Sequence, residues 1–290
     1  MKLISSLKNK DMLETVSTYV EGVVLGCQYS FYCDNKYSVE EIKDIYQNTL
    51  KNNIKTYILI NLVMHENYVN EVKEFIKKFE NEEVYFIFQD LGILNILLEL
   101  NKVQYGIYNP LTMITNYRDV KEYEVFSLDA VGVSSEIPVR DVTKCTSICS
   151  NVFYLGFGYH PMYQTYRQLL SLYKEHSGLN FTNDNLFLQE ATRPDDRCPI
   201  IENEYGSVVF RSGVISTLEK IKELEDVKYF FLDGIFLDED VFVKVLETYY
   251  KVINNLITDE EGLNIISSLK LSINNQFMDV DSVYNPKEFE

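Results

Sequence analysis

Eight short apolar runs, most followed by a stretch of helical periodicity, recur along this chain, and their spacing limits the folds open to it. The runs lie at Lys2–Ser5, Val20–Leu25, Lys55–Asn61, Val84–Phe88, Gln104–Tyr108, Ala130–Ser134, Val152–Gly156 and Lys228–Asp233. Several are apolar on successive residues rather than on alternate ones, the pattern of parallel strands covered on both faces. Between them, Ser38 stands three residues before Glu41 as a capping box, with Ile42, Ile45 and Tyr46 on one face beyond it. Tyr68–Phe79, Ile93–Leu100 and Asp240–Asn255 repeat this style. Such alternation predicts parallel βα units, and eight of them predict an α/β fold of the (β/α)8 TIM-barrel type. An open doubly wound sheet fits less well, because no glycine-rich phosphate loop follows an early strand.

The interval from Tyr159 to Val227 is too long for an ordinary connection. It predicts an insertion after the seventh strand, with a helix over about 162–175 and a β-hairpin built from Leu186–Gln189 and Ser207–Phe210. The barrel with its insertion (159–227) is expected over 1–255, and a partly helical, frayed tail over 256–290.

Charge and cysteine usage narrow the function classes. The formal net charge is -17 with no Lys/Arg-rich run, which argues against an unaided grip on nucleic acid, since phosphate neutralisation supplies most of that affinity. No run of about 18 apolar residues is present, so no membrane association is expected. The apolar stretch before Lys8 is short for a secretory signal, and the reading is a cytoplasmic protein. Cys27, Cys33, Cys145, Cys149 and Cys198 are odd in number and scattered, which reads as free thiols rather than a disulfide framework.

In a barrel of this type the carboxyl ends of the strands converge on one mouth, where ligands bind. The residues at those positions are Cys27 and Gln28, Asn61 and His65, Gln89 and Asp90, Asn109, Glu136, His160 and Asp233. Glu136, His160 and Asp233 are the candidate catalytic groups, as titratable side chains in such places. Asn61, His65, Gln89 and Asn109 are candidate substrate-binding groups. Tyr163, Tyr166, Arg167 and Tyr173 could clamp a planar or anionic ligand, with Arg167 holding a carboxylate in fork geometry. Each has a plain alternative: helix capping for Asp90 and Asn109, rim packing for the aromatic segment. A thiol nucleophile pairing Cys27 with His65 or His160, and a zinc site on the two histidines, find no support in spacing, so no metal is expected.

Several segments together resemble one family. They are Tyr159–Tyr173 (YHPMYQTYRQLLSLY), Arg193 followed by Cys198–Gly206 (CPIIENEYG), and Tyr229–Gly234 (YFFLDG). Gly22–Gly26, Ile60–His65, Gln89–Gly92, Thr115-Asn116 and Ser135-Glu136 add to them. In order and spacing the set resembles the collagenase-like peptidase family U-32, and most closely its short members from Gram-positive bacteria. The resemblance adds Arg193 to the candidate binding residues. It implies a role in 5-hydroxylation of wobble uridine in tRNA, with prephenate, a small carboxylic acid, as a metabolite. A cluster-bearing paralogue would be the partner through which tRNA is reached. The alternatives are a collagenase-like peptidase (a hydrolase) and a non-catalytic ligand-binding or scaffold barrel. Family cysteines that ligate an iron–sulfur cluster fall here at Pro161 and Gln168, so no such cofactor is expected. The family's Lys and Arg in the last strand fall at Phe231 and Ile235.

Overall fold

In the computed structural model, which describes residues 1–182, 186–275 and 277–280, each apolar run becomes a strand. The order is β1 (Lys2–Ser6), α1 (Leu13–Val16), β2 (Gly22–Gly26), α2 (Val39–Lys51), β3 (Lys55–Ile60), α3 (Val69–Lys77), β4 (Tyr85–Phe88), α4 (Leu91–Glu99), β5 (Gly106–Tyr108), α5 (Tyr117–Glu122), β6 (Ala130–Gly132) and α6 (Val139–Thr146). It continues with β7 (Val152–Thr165), α7 (Leu169–Ser177), β8 (Leu186–Glu190), β9 (Arg193–Asn203), β10 (Gly206–Ser216), β11 (Tyr229–Leu232), α8 (Glu239–Ile253) and α9 (Asp259–Ser268).

Strands β1 to β7 pair in parallel in chain order, and β11 pairs in parallel with both β1 and β7, which closes an eight-stranded ring. The expected (β/α)8 barrel is the observed fold. Consecutive apolar residues serve both faces. Ile4, Val24, Tyr57, Ile87, Ile107, Phe153 and Phe231 fill the interior, while Val23, Leu25, Ile58, Phe86 and Phe230 pack outward under the helices. At the amino ends of the strands, Lys55 Nζ donates to the hydroxyls of Tyr85 (2.6 Å) and Tyr229 (3.2 Å), and Lys228 pairs with Asp129 at 2.8 Å. These groups stopper that end, so access is from the carboxyl mouth. The Ser38–Glu41 capping box opens α2 as read.

The insertion differs from expectation in two ways. β7 does not stop near Gly156: its second half pairs antiparallel with β10, and the helix expected from residue 162 begins only at Leu169. The backbone of 157–165 finds its hydrogen-bond partners across that pairing, which outweighs the helix-like spacing of its aromatics. The two segments expected to form a hairpin do not touch as partners. β9 lies between them and pairs with both, giving the order β7-β10-β9-β8. Its Pro194, Pro199 and polar residues hide it from a pattern search.

Beyond α9 the chain returns to the barrel. Ile273 bridges Val214, and Met278 is buried with its carbonyl accepting the amide of Val139 at 2.9 Å. Residues 281–290, the end of the segment expected to fray, lie outside the described residues. Among the described residues no helix is long and apolar enough to cross a membrane.

Candidate functional site at the barrel mouth

The pocket at the mouth is lined by the ends of β3, β4, β5, β7 and β11. Asn61, Gln89, Asn109, His160 and Asp233 all face it, together with Tyr32, Ser135 and Tyr159. Five residues singled out in the sequence are thus brought together. Its free space is small, about 50 Å3, room for roughly four waters. Past Gln89, Leu111 and Pro161 it continues into an outer groove of about 400 Å3 between Pro110–Met113 and Pro161–Gln164, where Tyr163 lies.

His160 anchors the pocket. It is 2% exposed, its Nδ1 shares a hydrogen bond with Ser135 Oγ at 2.9 Å, and its Nε2 lies 3.5 Å from Glu136 Oε1 without hydrogen-bond alignment. The His160 ring beside Glu136, helped by Arg211, holds that carboxyl below its ordinary value. Gln89 Nε2 approaches Gln164 Oε1 at 3.4 Å, which leaves Gln89 Oε1 and Gln164 Nε2, like His160 Nε2, buried without a hydrogen bond. Buried polar atoms are normally hydrogen-bonded, so these three make the mouth a site for a polar ligand.

Asp233 borders a second polar cluster. Burial, then the neighbouring Asp34, push its carboxyl up to about 7, although it accepts from the amide of Ile235. Lys8 Nζ donates to Asp34 Oδ1 (2.6 Å) and to the carbonyl of Gly234 (2.9 Å), while Ser6 Oγ donates to Asp34 Oδ2 and accepts from the amide of Gly234. Burial outweighs the pull of Lys8 and raises the Asp34 carboxyl too. Phe231 and Ile235 leave the last strand without a cation, and Lys8 places one beside Asp233.

Other candidates have different surroundings. The Asn61 amide is committed to the loop after β2: its oxygen accepts from Phe31 N (2.8 Å) and its nitrogen donates to Tyr32 O (3.0 Å). That fixes Tyr32 in the pocket wall. His65 is exposed on the rim with its ring edge-on to Tyr166, whose hydroxyl donates to Val63 O. Arg167 is exposed on the turn after β7, outside the pocket. Arg193 pairs with Glu190 (3.0 Å) in the β8–β9 turn. Cys27 is fully buried, its thiol pushed up to about 11 by burial and its sulfur directed to Leu59 O, which suits a packed thiol and not a nucleophile. Among the described residues no His/Cys/Asp/Glu group could hold a metal.

Sequence reasoning passed over Ser135, Gln164, Lys8, Asp34 and Arg211. Ser135 stood in a quoted motif as Glu136's neighbour. Asp34 and Lys8 sit in loops with no periodic signal, and Gln164 and Arg211 needed the β7–β10 pairing. The CPIIENEYG motif turns out to dock the insertion. Glu202 accepts from the amides of Leu170 and Ser171 at the start of α7, Asn203 donates to Phe31 O, and the Tyr205 hydroxyl donates to Gln28 O.

A stoppered parallel barrel with a polar pocket at its carboxyl mouth and an antiparallel extension of the seventh strand defines a TIM-type barrel of binding or catalytic design. The chain belongs to Peptidase family U32, whose description it matches over residues 14–285. It is 19% identical over 270 residues to tRNA hydroxylation protein P2 of Bacillus subtilis (strain 168), covering 89% of this chain and 87% of that one. The solved structure of the U32 peptidase Mk0906 is similar with a TM-score of 0.50 and 11% identity, over 80% of this chain and 92% of that one. At that identity the likeness speaks for the fold.

Proposed function

We propose that this chain is a cytoplasmic component of the system that forms 5-hydroxyuridine at the wobble position of tRNA, with the barrel mouth as its site. The observation that carries the reading is the pair of buried amide atoms there with no hydrogen-bond partner, Gln89 Oε1 and Gln164 Nε2, beside His160 Nε2, which faces Glu136 without an aligned hydrogen bond. Carboxamides supply donors and acceptors together, as the imide edge of a uracil requires. The shallow inner pocket suits the edge of a flipped-out base, and the outer groove beside Tyr163 and Met113 suits its ring and sugar. The likeness to tRNA hydroxylation protein P2, which runs the length of the barrel, supports the same reading.

The cysteines do not fit an iron–sulfur cluster. Pro161 and Gln168 stand where the first pair of family cysteines would be, Cys198 lies on β9, and Cys145 and Cys149 are buried on and just after α6. No step is therefore assigned to a cluster in this chain. A cluster-bearing paralogue supplies the redox chemistry and the basic tRNA-binding surface.

Deletion of the gene, followed by mass spectrometry of wobble nucleosides, tests the reading. Loss of 5-hydroxyuridine derivatives is expected, with rescue by the parent chain and at least a tenfold poorer rescue by His160→Gln and Glu136→Gln, in line with loss of a positioned acid–base group. Normal tRNA in the deletion strain overturns it.

A further inference from the structure

Pairing between β7 and β10 shifts register at two neighbouring levels, and the wider shift lies at His160. Phe210 pairs with Pro161 and Val214 with Tyr159, so β10 spends three residues, Arg211, Ser212 and Gly213, where β7 spends His160 alone. Bulges of this kind re-aim side chains and recur beside functional sites. The segment after α9 closes over it: Val214 N donates to Ser272 O and Asn274 N to Val214 O, both at 2.8 Å. Gly213 permits that approach, since a Cβ there would lie 2.6 Å from Ser272 O.

Under the bulge lies a cavity of about 440 Å3 whose walls include Met162, Leu188, Val209, Arg211 and Asn274. The Arg211 guanidinium is half-buried and stacks on Phe277 at 4.1 Å. Among the described residues it has no carboxylate at ion-pair distance, and Glu136 acts on it only through space. A partly desolvated guanidinium with open donors favours an anion of planar, two-oxygen geometry. Arg193 on the rim is already shared between Glu190 and Asp196. Those two rim carboxylates disfavour a dianion, and a single charge matches the single open cation. Met162, Leu188 and Val209 offer the rest of the ligand an apolar bed.

We propose that the bulge cavity binds a small organic monocarboxylate with an apolar body, its carboxylate held by Arg211. The site is separate from the mouth, so its success or failure is independent of the role in tRNA modification. Because β7 carries His160 opposite the bulge, a ligand on Arg211 also alters the charge that Glu136 feels.

Benzoate serves as the probe, with the full chain titrated by calorimetry and by ligand-observed NMR. Saturable binding is expected, weakened about tenfold or more in Arg211→Gln and less in Arg211→Lys, which keeps the charge and loses the fork. Benzamide and inorganic phosphate should fail to displace it. Circular dichroism reports whether each variant folds. Leu188→Glu, at an exposed edge of the cavity, supplies a second variant that should also lose binding. Absence of saturable benzoate binding, unchanged affinity in a folded Arg211→Gln or Leu188→Glu protein, or displacement by phosphate at equal concentration overturns the proposal.

Discussion

Asp233 is the residue whose surroundings most oppose its ordinary state. Its folded carboxyl titrates near 7 against an ordinary value of 3.8, because burial and Asp34 disfavour the charge. Between about pH 4 and 7 the folded chain therefore holds a proton that the unfolded chain has released, so stability falls as pH rises through that window. Asp233→Asn removes the effect while keeping an acceptor for the Ile235 amide. The variant should be the more stable by about 4 kcal/mol at pH 8, with the gap closing toward pH 4. Thermal melts at both values check this, and a variant that melts no higher than the parent at pH 8 contradicts it. Lys8 has the opposite role. Lys8→Met leaves Asp34 and Asp233 without a cation and should cost about 3–5 kcal/mol in urea unfolding. Adding Asp34→Asn should recover most of that loss, and a Lys8→Met protein of parental stability would show that the ion pair is idle.

At the scale of elements, α7 depends on a carboxylate from another strand. Its own N-cap, Gln168, makes no side-chain cap, and Glu202 of β9 takes the amides of Leu170 and Ser171 instead. Glu202→Ala should loosen α7 by about 1–2 kcal/mol with little effect on global melting. Limited proteolysis would then cut within 169–177 several times faster than in the parent, and equal cutting rates would count against the cap. The same region shows why part of the insertion was unreadable. Tyr159–Tyr173 carries aromatics at spacings that suit a helix or a strand, and only β10, some fifty residues on, decides for the strand up to Thr165. β9 was invisible for a related reason: Pro194 and Pro199 lie before its pairing with β10 begins at Ile200, so that half has β8 on one side only, where proline is tolerated.

For the molecule as a whole, the barrel was legible because each strand is a run buried on both faces, a local signal that survives without knowledge of partners. The five mouth residues were legible because strand ends converge by geometry once the barrel is granted. Lys8, Asp34 and Arg211 were not, since loop and bulge positions follow from tertiary pairing alone. Net charge acts at this scale too. With -17 and no basic run, the chain alone should bind naked tRNA negligibly at 150 mM salt. Filter binding across a salt series checks this, and a micromolar complex with a steep salt slope would reveal a hidden basic face.

The length of β7 has a mechanical consequence. Fourteen residues run without interruption from the barrel wall into the extension, a beam of about 45 Å with His160 near its middle. At its root the strand bends, since Gly156 is passed over in the pairing with β11 and Gly158 takes a φ of 139°. The antiparallel pairing with β10 spans that bend on both sides of His160, so a displacement of the outer sheet reaches the imidazole through β10 as well as through β7. Whatever grips that outer sheet therefore acts on the mouth as well.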